Sequence, residues 1–334
     1  MILILSQAAM EPTTEEVMDW LGALGARCLR LNGEDLDGGR VRFSLTGSDA
    51  TLEFDGFELP AAEVGAVWFR RWIHEGRHEL AERIAPGSKL DYDLRRHLTQ
   101  EQRRLSGFVF SRFADRPWLS RPRRSGLDKL DVLARAARAG FATPATLVTT
   151  ERDALLRFRR EHGSVITKPI GEVDLFLDGE LSHFLYTASL DAAAAEALPE
   201  RFAPSLFQER IDKIYEMRVF YLAGDCSGMA IFSQGDAQTR TDFRHYNRER
   251  PNRMVPLRLS PETAARIQAL MEDLDLETGS LDLLRTPDGR EVFLEVNPVG
   301  QFGMVSKPCN YRLEKRVAEH LMGKERDGGQ RRVS

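Results

Sequence analysis

A chain of 334 residues is longer than one ordinary globular core, so two or three packed units are expected. Hydrophobic residues make up 42% and charged residues 29%, which supports a sizeable core and excludes global disorder. A net charge of -4 with both signs interspersed excludes a general nucleic-acid binder, so the substrate must be argued from sites.

The opening run 1–6 is apolar but too short for a membrane span and has no basic flank, so it reads as a buried first strand. No membrane partner is expected, and cytoplasmic residence follows. Cys28, Cys226 and Cys309 are scattered without a Cys-x-x-Cys pair, which suggests neither a zinc site nor a disulfide framework. Thr13 with Glu16 makes a capping-box pattern ahead of Val17, Leu21 and Leu24 at helical spacing, and 28–31 reads as a second strand. This strand, helix, strand opening is the unit that builds a parallel sheet. Short strands are expected at 41–45 and 51–59, and a longer one over 64–72 whose Trp68, Phe69 and Trp72 pack the first domain while Arg70 or Arg71 at its end reaches toward the cleft. Helix formers dominate 79–113.

The basic stretch Arg121-Pro122-Arg123-Arg124 reads as a connector before a helix start at Ser125, with Leu130, Leu133, Ala134 and Ala137 on one helical face and Gly140 as terminator. Strands follow at 145–148, 165–168 and 174–177, then an alanine-rich helix over 190–198. Beyond Ser205 strands dominate, at 206–210, 216–222 and 226–232, with a helix at 260–276. The expected division is an N-terminal α/β domain (1–120), a central subdomain (121–205), a C-terminal subdomain with the metal site (206–322) and a flexible polar tail (323–334).

The most informative pattern is Ser280-Leu281-Asp282-Leu283-Leu284, a Pro287-Asp288-Gly289 turn, and Glu291 to Asn297. It predicts an antiparallel hairpin. Strict alternation puts Glu291, Phe293, Glu295 and Asn297 on one face and Val292, Leu294 and Val296 on the other. With Asp282 opposite, Asp282, Glu295 and Asn297 converge as hard oxygen donors of the kind that hold magnesium against substrate phosphates. A solvated acidic face is the plainer reading of the same residues. Upstream, Lys129 near a helix start and Lys168 at the end of an apolar strand can each place a positive charge on nucleotide phosphates. No Gly-x-x-x-x-Gly-Lys-[Ser/Thr] run and no His-Arg-Asp loop occurs, so neither a P-loop nor a protein kinase fits.

The order Lys129, Thr167-Lys168-Pro169, Phe207-Gln208-Glu209, Glu216-x-Arg218, Asp282 and Glu295-Val296-Asn297-Pro298 resembles the ATP-grasp superfamily over roughly 120–322. The resemblance implies an ATP-grasp fold, α/β and α+β, behind an N-terminal mixed α/β domain. It implies that Gln208, Glu209, Arg210 and Ile211 form the strand whose backbone reads the adenine edge, and that Lys129 and Lys168 hold phosphates. Arg218 and Arg244 would stabilise the transferring phosphoryl group and the acyl phosphate, while Asp282, Glu295 and Asn297 bind magnesium. The sequence departs from many such ligases after Lys168, where Pro169-Ile170-Gly171-Glu172 carries a single glycine.

Val67-Trp68-Phe69-Arg70-Arg71, Asp242-Phe243-Arg244-His245-Tyr246-Asn247, and Asn297-Pro298-Val299-Gly300-Gln301-Phe302-Gly303 with Asn310-Tyr311-Arg312-Leu313-Glu314 narrow the resemblance to graspetide synthetases. Such enzymes use ATP and magnesium to phosphorylate Asp or Glu side chains of a ribosomal precursor peptide, a leader plus a Thr/Glu-rich core. Ser, Thr or Lys side chains then close ester or amide macrocycles. Glu216, Arg240 and Arg244 become candidates for the core-peptide site, with a structural ion pair as the equal reading of Glu216 and Arg240. The leader is expected on the central subdomain, and the resemblance allows a homodimer. A ligase acting on a small acid or a protein terminus would use the same ATP residues, and a silent nucleotide- or peptide-binding module is the third reading.

Overall fold

Five consecutive uncharged residues, Ile2–Ser6, form β1, and all five are buried, as in a strand covered on both faces. The computed structural model describes every residue except 38–40, 47–48, 55–56, 60, 73–83, 85, 125, 172–175, 179–180, 184–186, 237, 240–246, 248 and 331–334. The chain divides into two compact units, Met1–Ser125 with Arg312–Ser334, and Gly126–Tyr311.

In the first unit β1 leads into α1 (Pro12–Ala23) and the parallel strand β2 (Cys28–Asn32). The helix starts earlier than the Thr13 capping box predicts. Pro12, whose fixed φ suits a first helical position, follows Glu11 as N-cap, and Glu11 accepts the Thr14 hydroxyl at 2.7 Å. A short helix α2 (Gly33–Asp37) precedes a separate antiparallel sheet of β3 (Val41–Thr46), β4 (Asp49–Phe54) and β5 (Phe57–Glu58). The strand expected over 64–72 is shorter, β6 (Ala66–Phe69), because Arg70 turns inward. It meets Glu11 Oε2 at 3.4 Å and Thr13 Oγ1 at 3.2 Å, and lies 5.1 Å over the Trp68 ring. Arg71 pairs with Glu11 Oε1 at 3.0 Å, so both arginines are engaged on this carboxylate, not extended toward a substrate as expected. Burial lowers the Arg70 pKa to about 10, with the Glu11 charge opposing the shift.

Within the expected helical region 79–113, of which 79–83 and 85 lie outside the described residues, α3 (Lys89–Ser111) forms and is capped by Ser88 Oγ on the Asp91 amide at 3.1 Å. After it, β7 (Trp118–Leu119) completes a parallel sheet in the order β2-β1-β6-β7. The same unit takes in the helix Leu313–Gln330, which packs on α1 and β6. Residues 323–330 thus continue this helix, where a flexible tail was expected, and 331–334 lie outside the described residues. Leu313, Val317, Ala318 and Leu321, spaced along one face and each at most 1% exposed, anchor the helix.

The second unit begins with α4 (Lys129–Arg138), whose N-cap is Asp128 and not the expected Ser125, which lies outside the described residues. Its buried face is Val132, Leu133 and Ala136, one step from the predicted set. Then come β8 (Thr146–Glu151), α5 (Arg152–His162), β9 (Val165–Lys168), the small hairpin β10 (Phe176–Asp178) and β11 (Leu181–His183), and β12 (Ala188–Leu190). The alanine helix is only α6 (Ala192–Glu196), and β13 (Arg201–Glu209) closes an antiparallel sheet in the order β12-β9-β13-β8. Leu155, Val165, Ala195 and Phe207 form its core.

A second antiparallel sheet runs β16-β15-β14-β17-β18. Its strands are β14 (Tyr215–Leu222), β15 (Asp225–Phe232), β16 (Arg253–Leu257), β17 (Thr278–Arg285) and β18 (Glu291–Asn297), with α7 (Pro261–Asp273) between β16 and β17. Met217, Val219, Leu281, Leu283 and Phe293 meet Ile267, Leu270 and Met271 of α7 and Val132 and Ala136 of α4 in the largest core of this unit. Helix α8 (Gly303–Cys309) and the turn at Asn310 end it, with Tyr311 Oη donating to the Gly228 carbonyl at 2.7 Å.

Candidate functional site

The β17–β18 hairpin forms where Pro287-Asp288-Gly289 predicts it, but its ladder slips by one residue. Leu283 pairs with Phe293 while the adjacent Asp282 pairs with Glu295, leaving Leu294 as the extra residue of a β-bulge. Strict alternation therefore fails: Phe293 joins Leu281, Leu283 and Val296 in the core, and Leu294 and Glu295 both line a cleft. The bulge separates Phe293 from the polar face on which alternation had placed it.

The cleft lies within the second unit. One wall comes from the sheet of β9 and β13, through Ile166, Lys168, Gln208 and Glu209. The other comes from β14, β17 and β18, through Glu216, Asp282 and Glu295. The segment Arg210, Ile211, Asp212 and Lys213 links β13 to β14 along its edge. Period-two burial sets the first wall. Phe207 and Val165 point into the core, so their neighbours Gln208, Ile166 and Lys168 face the other way.

Asp282 and Glu295 are brought together as facing partners of adjacent strands. Asn297 sits one rung further along the same face, opposite Ser280, and its Oδ1 accepts the Val299 amide at 3.0 Å. Among the described residues no three His, Cys, Asp or Glu side chains gather as a metal cage. Two carboxylates in a cleft with a lysine are the donor set of a hard cation shared with phosphates, not one held by protein alone. The residues present fit magnesium.

Arg218 faces Asp282 across β14 and β17 and donates to its Oδ2 at 2.5 Å, at 7% exposure and off the cleft wall. Lys129 opens α4 and is turned to backbone, with Nζ 3.4 Å from the Pro169 carbonyl and 2.7 Å from that of Gly171. It tethers the segment that follows the strand lysine. Of the expected edge-reading segment, the Glu209 and Arg210 amides donate to Ala145 and Ser164 carbonyls at 2.9 and 2.8 Å. Those two amides are committed to the sheet. Arg210 also pairs with Asp212 at 3.7 Å. Glu216 is buried and ion-paired with Lys213 at 2.6 Å, and it accepts from Ser233 Oγ at 2.8 and 2.7 Å. These contacts hold the Glu216 carboxylate at the cleft wall. Arg240, Arg244 and His245 lie outside the described residues.

Sequence reasoning missed Lys213 and Gln234, both on the cleft wall. A lysine three residues before Glu216 at a strand entry was the available signal. The three cysteines are free, and among the described residues no helix is long and apolar enough to cross a membrane.

No family profile matches the chain, and no curated protein does. Solved structures do. The chain is similar to the macrocyclase MdnC bound with precursor peptide MdnA from Microcystis aeruginosa, at 23% identity and TM-score 0.80 over 97% of this chain and 99% of that one. It is similar to a RiPP-associated ATP-grasp ligase of Chryseobacterium gregarium in complex with ADP and a leader and core peptide, at 24% identity and TM-score 0.83, covering 97% and 96%. D-alanyl-alanine synthetase A from Vibrio cholerae matches at 14% identity and TM-score 0.58, covering 97% and 98%. The chain has the ATP-grasp ligase fold.

Proposed function

We propose that this protein is an ATP- and magnesium-dependent ligase that closes ester or amide macrocycles in a ribosomally made precursor peptide. The observation that carries the reading is the Asp282–Glu295 pair, set by a bulge into one cleft with Lys168 and the segment leading to Lys213. Asp282 and Glu295, with Asn297 beside them, would hold magnesium, which neutralises charge on the nucleotide phosphates. Lys168 places a cation on the same phosphates, and Arg218 and Arg244 serve the transferring phosphoryl group, Arg218 through its contact with Asp282. A carboxylate oxygen of the peptide attacks the γ-phosphorus and ADP leaves. A hydroxyl or amine of the same peptide then attacks the acyl carbon, phosphate departs, and the nucleophile's proton passes to a base. Positioning and charge neutralisation supply the acceleration, and no covalent enzyme intermediate is needed.

The precursor peptides in the two most similar structures described support a peptide acceptor. The fold shared with D-alanyl-alanine synthetase favours the second reading, a ligase of small acids in the same nucleotide cleft.

The test is co-expression with a short Thr- and Glu-rich peptide encoded beside the gene, followed by high-resolution mass spectrometry. Losses of water that vanish with Asp282→Asn support macrocyclisation. An unchanged peptide together with ATP hydrolysis stimulated by a small carboxylate selects the small-acid ligase. Absence of turnover with any acceptor returns the chain to a nucleotide- or peptide-binding module.

A further inference from the structure

Residues 233–252 join β15 to the adjacent antiparallel strand β16, where a hairpin connection ordinarily takes about 2–5 residues. The first arm of this connection is fixed to the cleft. Ser233 is fully buried, and its hydroxyl donates to the Glu216 carboxylate at 2.8 and 2.7 Å while accepting from Gln234 Nε2 at 3.1 Å. Gln234 itself lines the cleft wall. Two side-chain links then tie this arm to the returning one. Thr239, also fully buried, has its hydroxyl 3.0 Å from the Ser233 carbonyl and 3.1 Å from the Asn252 side-chain amide. Asn247 Nδ2 donates to Asp236 Oδ2 at 2.6 Å.

The second link does two jobs with each side chain. Asp236 Oδ1 accepts the Gln238 amide at 2.8 Å, and Asn247 Oδ1 accepts the Glu249 and Arg250 amides at 3.0 and 3.1 Å. Each residue therefore shapes its own arm through one oxygen and reaches across with its other polar atom. The Gln238 amide, and after it the Asn247 NH2, holds the Asp236 carboxyl below its ordinary value, so the group is ionised at neutral pH and offers both oxygens. Between the two linked residues the sequence carries Arg240 and Arg244.

We propose that Asp236 and Asn247 are positioning residues for the peptide step, because their link fixes the ends of the segment that carries Arg240 and Arg244. The proposal rests on the macrocyclase reading above, and it makes peptide turnover depend on the pair while nucleotide binding does not. The chemistry of the link dictates which changes break it. Asp236→Asn leaves one carbonyl for two donors and turns an NH2 toward the Asn247 NH2. Asn247→Asp sets two carboxylates at hydrogen-bond distance with no proton between them. Making both changes together restores the link with donor and acceptor reversed. The amide at 236 then donates to the carboxylate at 247, and the Gln238, Glu249 and Arg250 amides keep oxygens to bond.

The test compares wild type, Asp236→Asn, Asn247→Asp and the exchanged double variant with the Thr- and Glu-rich peptide encoded beside the gene. Mass spectrometry follows the rate of water loss from the peptide, calorimetry gives the affinity for ADP with magnesium, and melting curves show that each variant is folded. Each single variant should lower the turnover number by about tenfold to a hundredfold, the cost of a small misplacement of reacting groups, with ADP affinity unchanged. The double variant should return to near the wild-type rate. Should Asn247→Asp not fold, Asn247→Leu, similar in shape and unable to bond, takes its place with the same expected loss. Full turnover in the folded single variants, a double variant as slow as the slower single one, or a parallel loss of ADP affinity overturns the proposal and leaves the macrocyclase reading standing. A connection that only stabilised the fold would shift the melting temperature and leave turnover alone, which also overturns it. Wild type that leaves the peptide unchanged overturns the macrocyclase reading and the proposal with it.

Discussion

Asp282 and Glu295 face each other across β17 and β18 because Leu294 is an extra residue in the ladder. Without that bulge the partner of Asp282 would be Leu294, and the cleft would carry a single carboxylate from this hairpin.

Asp282→Asn and Glu295→Gln should each lower ATP turnover by about 100-fold or more, the scale of losing one group that stabilises transition-state charge. Glu295→Gln should barely move the melting temperature, whereas Asp282→Asn should lower it, because buried Arg218 loses the charge it is paired with. Phosphate release measured with the precursor peptide checks this, and full activity in both variants would remove them from the site.

Arg218→Lys should fail to restore activity even though the charge is kept. A lysine ammonium is a compact, strongly hydrated point charge and does not reproduce the delocalised guanidinium, which meets Asp282 Oδ2 through Nη1 and keeps further donors on the same plane. A drop of roughly tenfold to a hundredfold in turnover, with magnesium titration showing weaker apparent affinity, is expected. Turnover equal to wild type would show that a positive charge alone suffices at this position.

Lys129→Met releases the carbonyls of Pro169 and Gly171 from their shared cation. Amide hydrogen exchange around Gly171 should speed up by about tenfold, as for a segment that loses a local tether. The Michaelis constant for ATP should rise more than the turnover number falls. Exchange identical to wild type would show that Nζ does not hold this segment.

The Cys226 thiol is pushed up to about 11 by burial, with the Asp225 charge adding to the shift. The ordinary value is 9.0, so at pH 8 it carries roughly a hundredfold less thiolate than an exposed cysteine, and alkylation of the folded protein should be slow in proportion. The folded pKa exceeds the unfolded one. The contribution to stability is therefore complete below pH 9 and is lost as pH rises toward 11. Urea midpoints at pH 8 and pH 10.5, compared between wild type and Cys226→Ala, read that slope. Equal pH dependence in the two proteins would exclude the thiol as its source.

How far the sequence discloses the site depends on whether a feature is local. The Pro287-Asp288-Gly289 turn is local chemistry, and the hairpin forms where it predicts. Strand β9 runs from Val165 to Lys168 as its apolar run indicates. The place of Phe293 was not legible, because a bulge is decided by what the partner strand offers and not by the alternation of its own residues. Arg70 looked like a strand-end cation and proved to be buried on Glu11, a partner far away in sequence. The polar segment after Met322 hid a helix whose apolar stripe is thin, and its helicity comes from packing on α1 and β6. That Glu216 contacts Lys213 and Ser233 was not legible either, since Ser233 lies on another strand, 17 residues away.

The helix Leu313–Gln330 is a structural member of the unit that the first residues begin. During synthesis, β1 and α1 leave the ribosome long before that helix does, while everything between Gly126 and Tyr311 can form its own cores first. Segments made before the second unit are thus completed after it, and the apolar surfaces of β1 and α1 stay open through translation of the whole intervening unit. A message truncated after Tyr311 would yield an intact second unit joined to a first one still lacking a wall. Such a product should be a substrate for chaperones and proteases even though every cleft residue named above has been made.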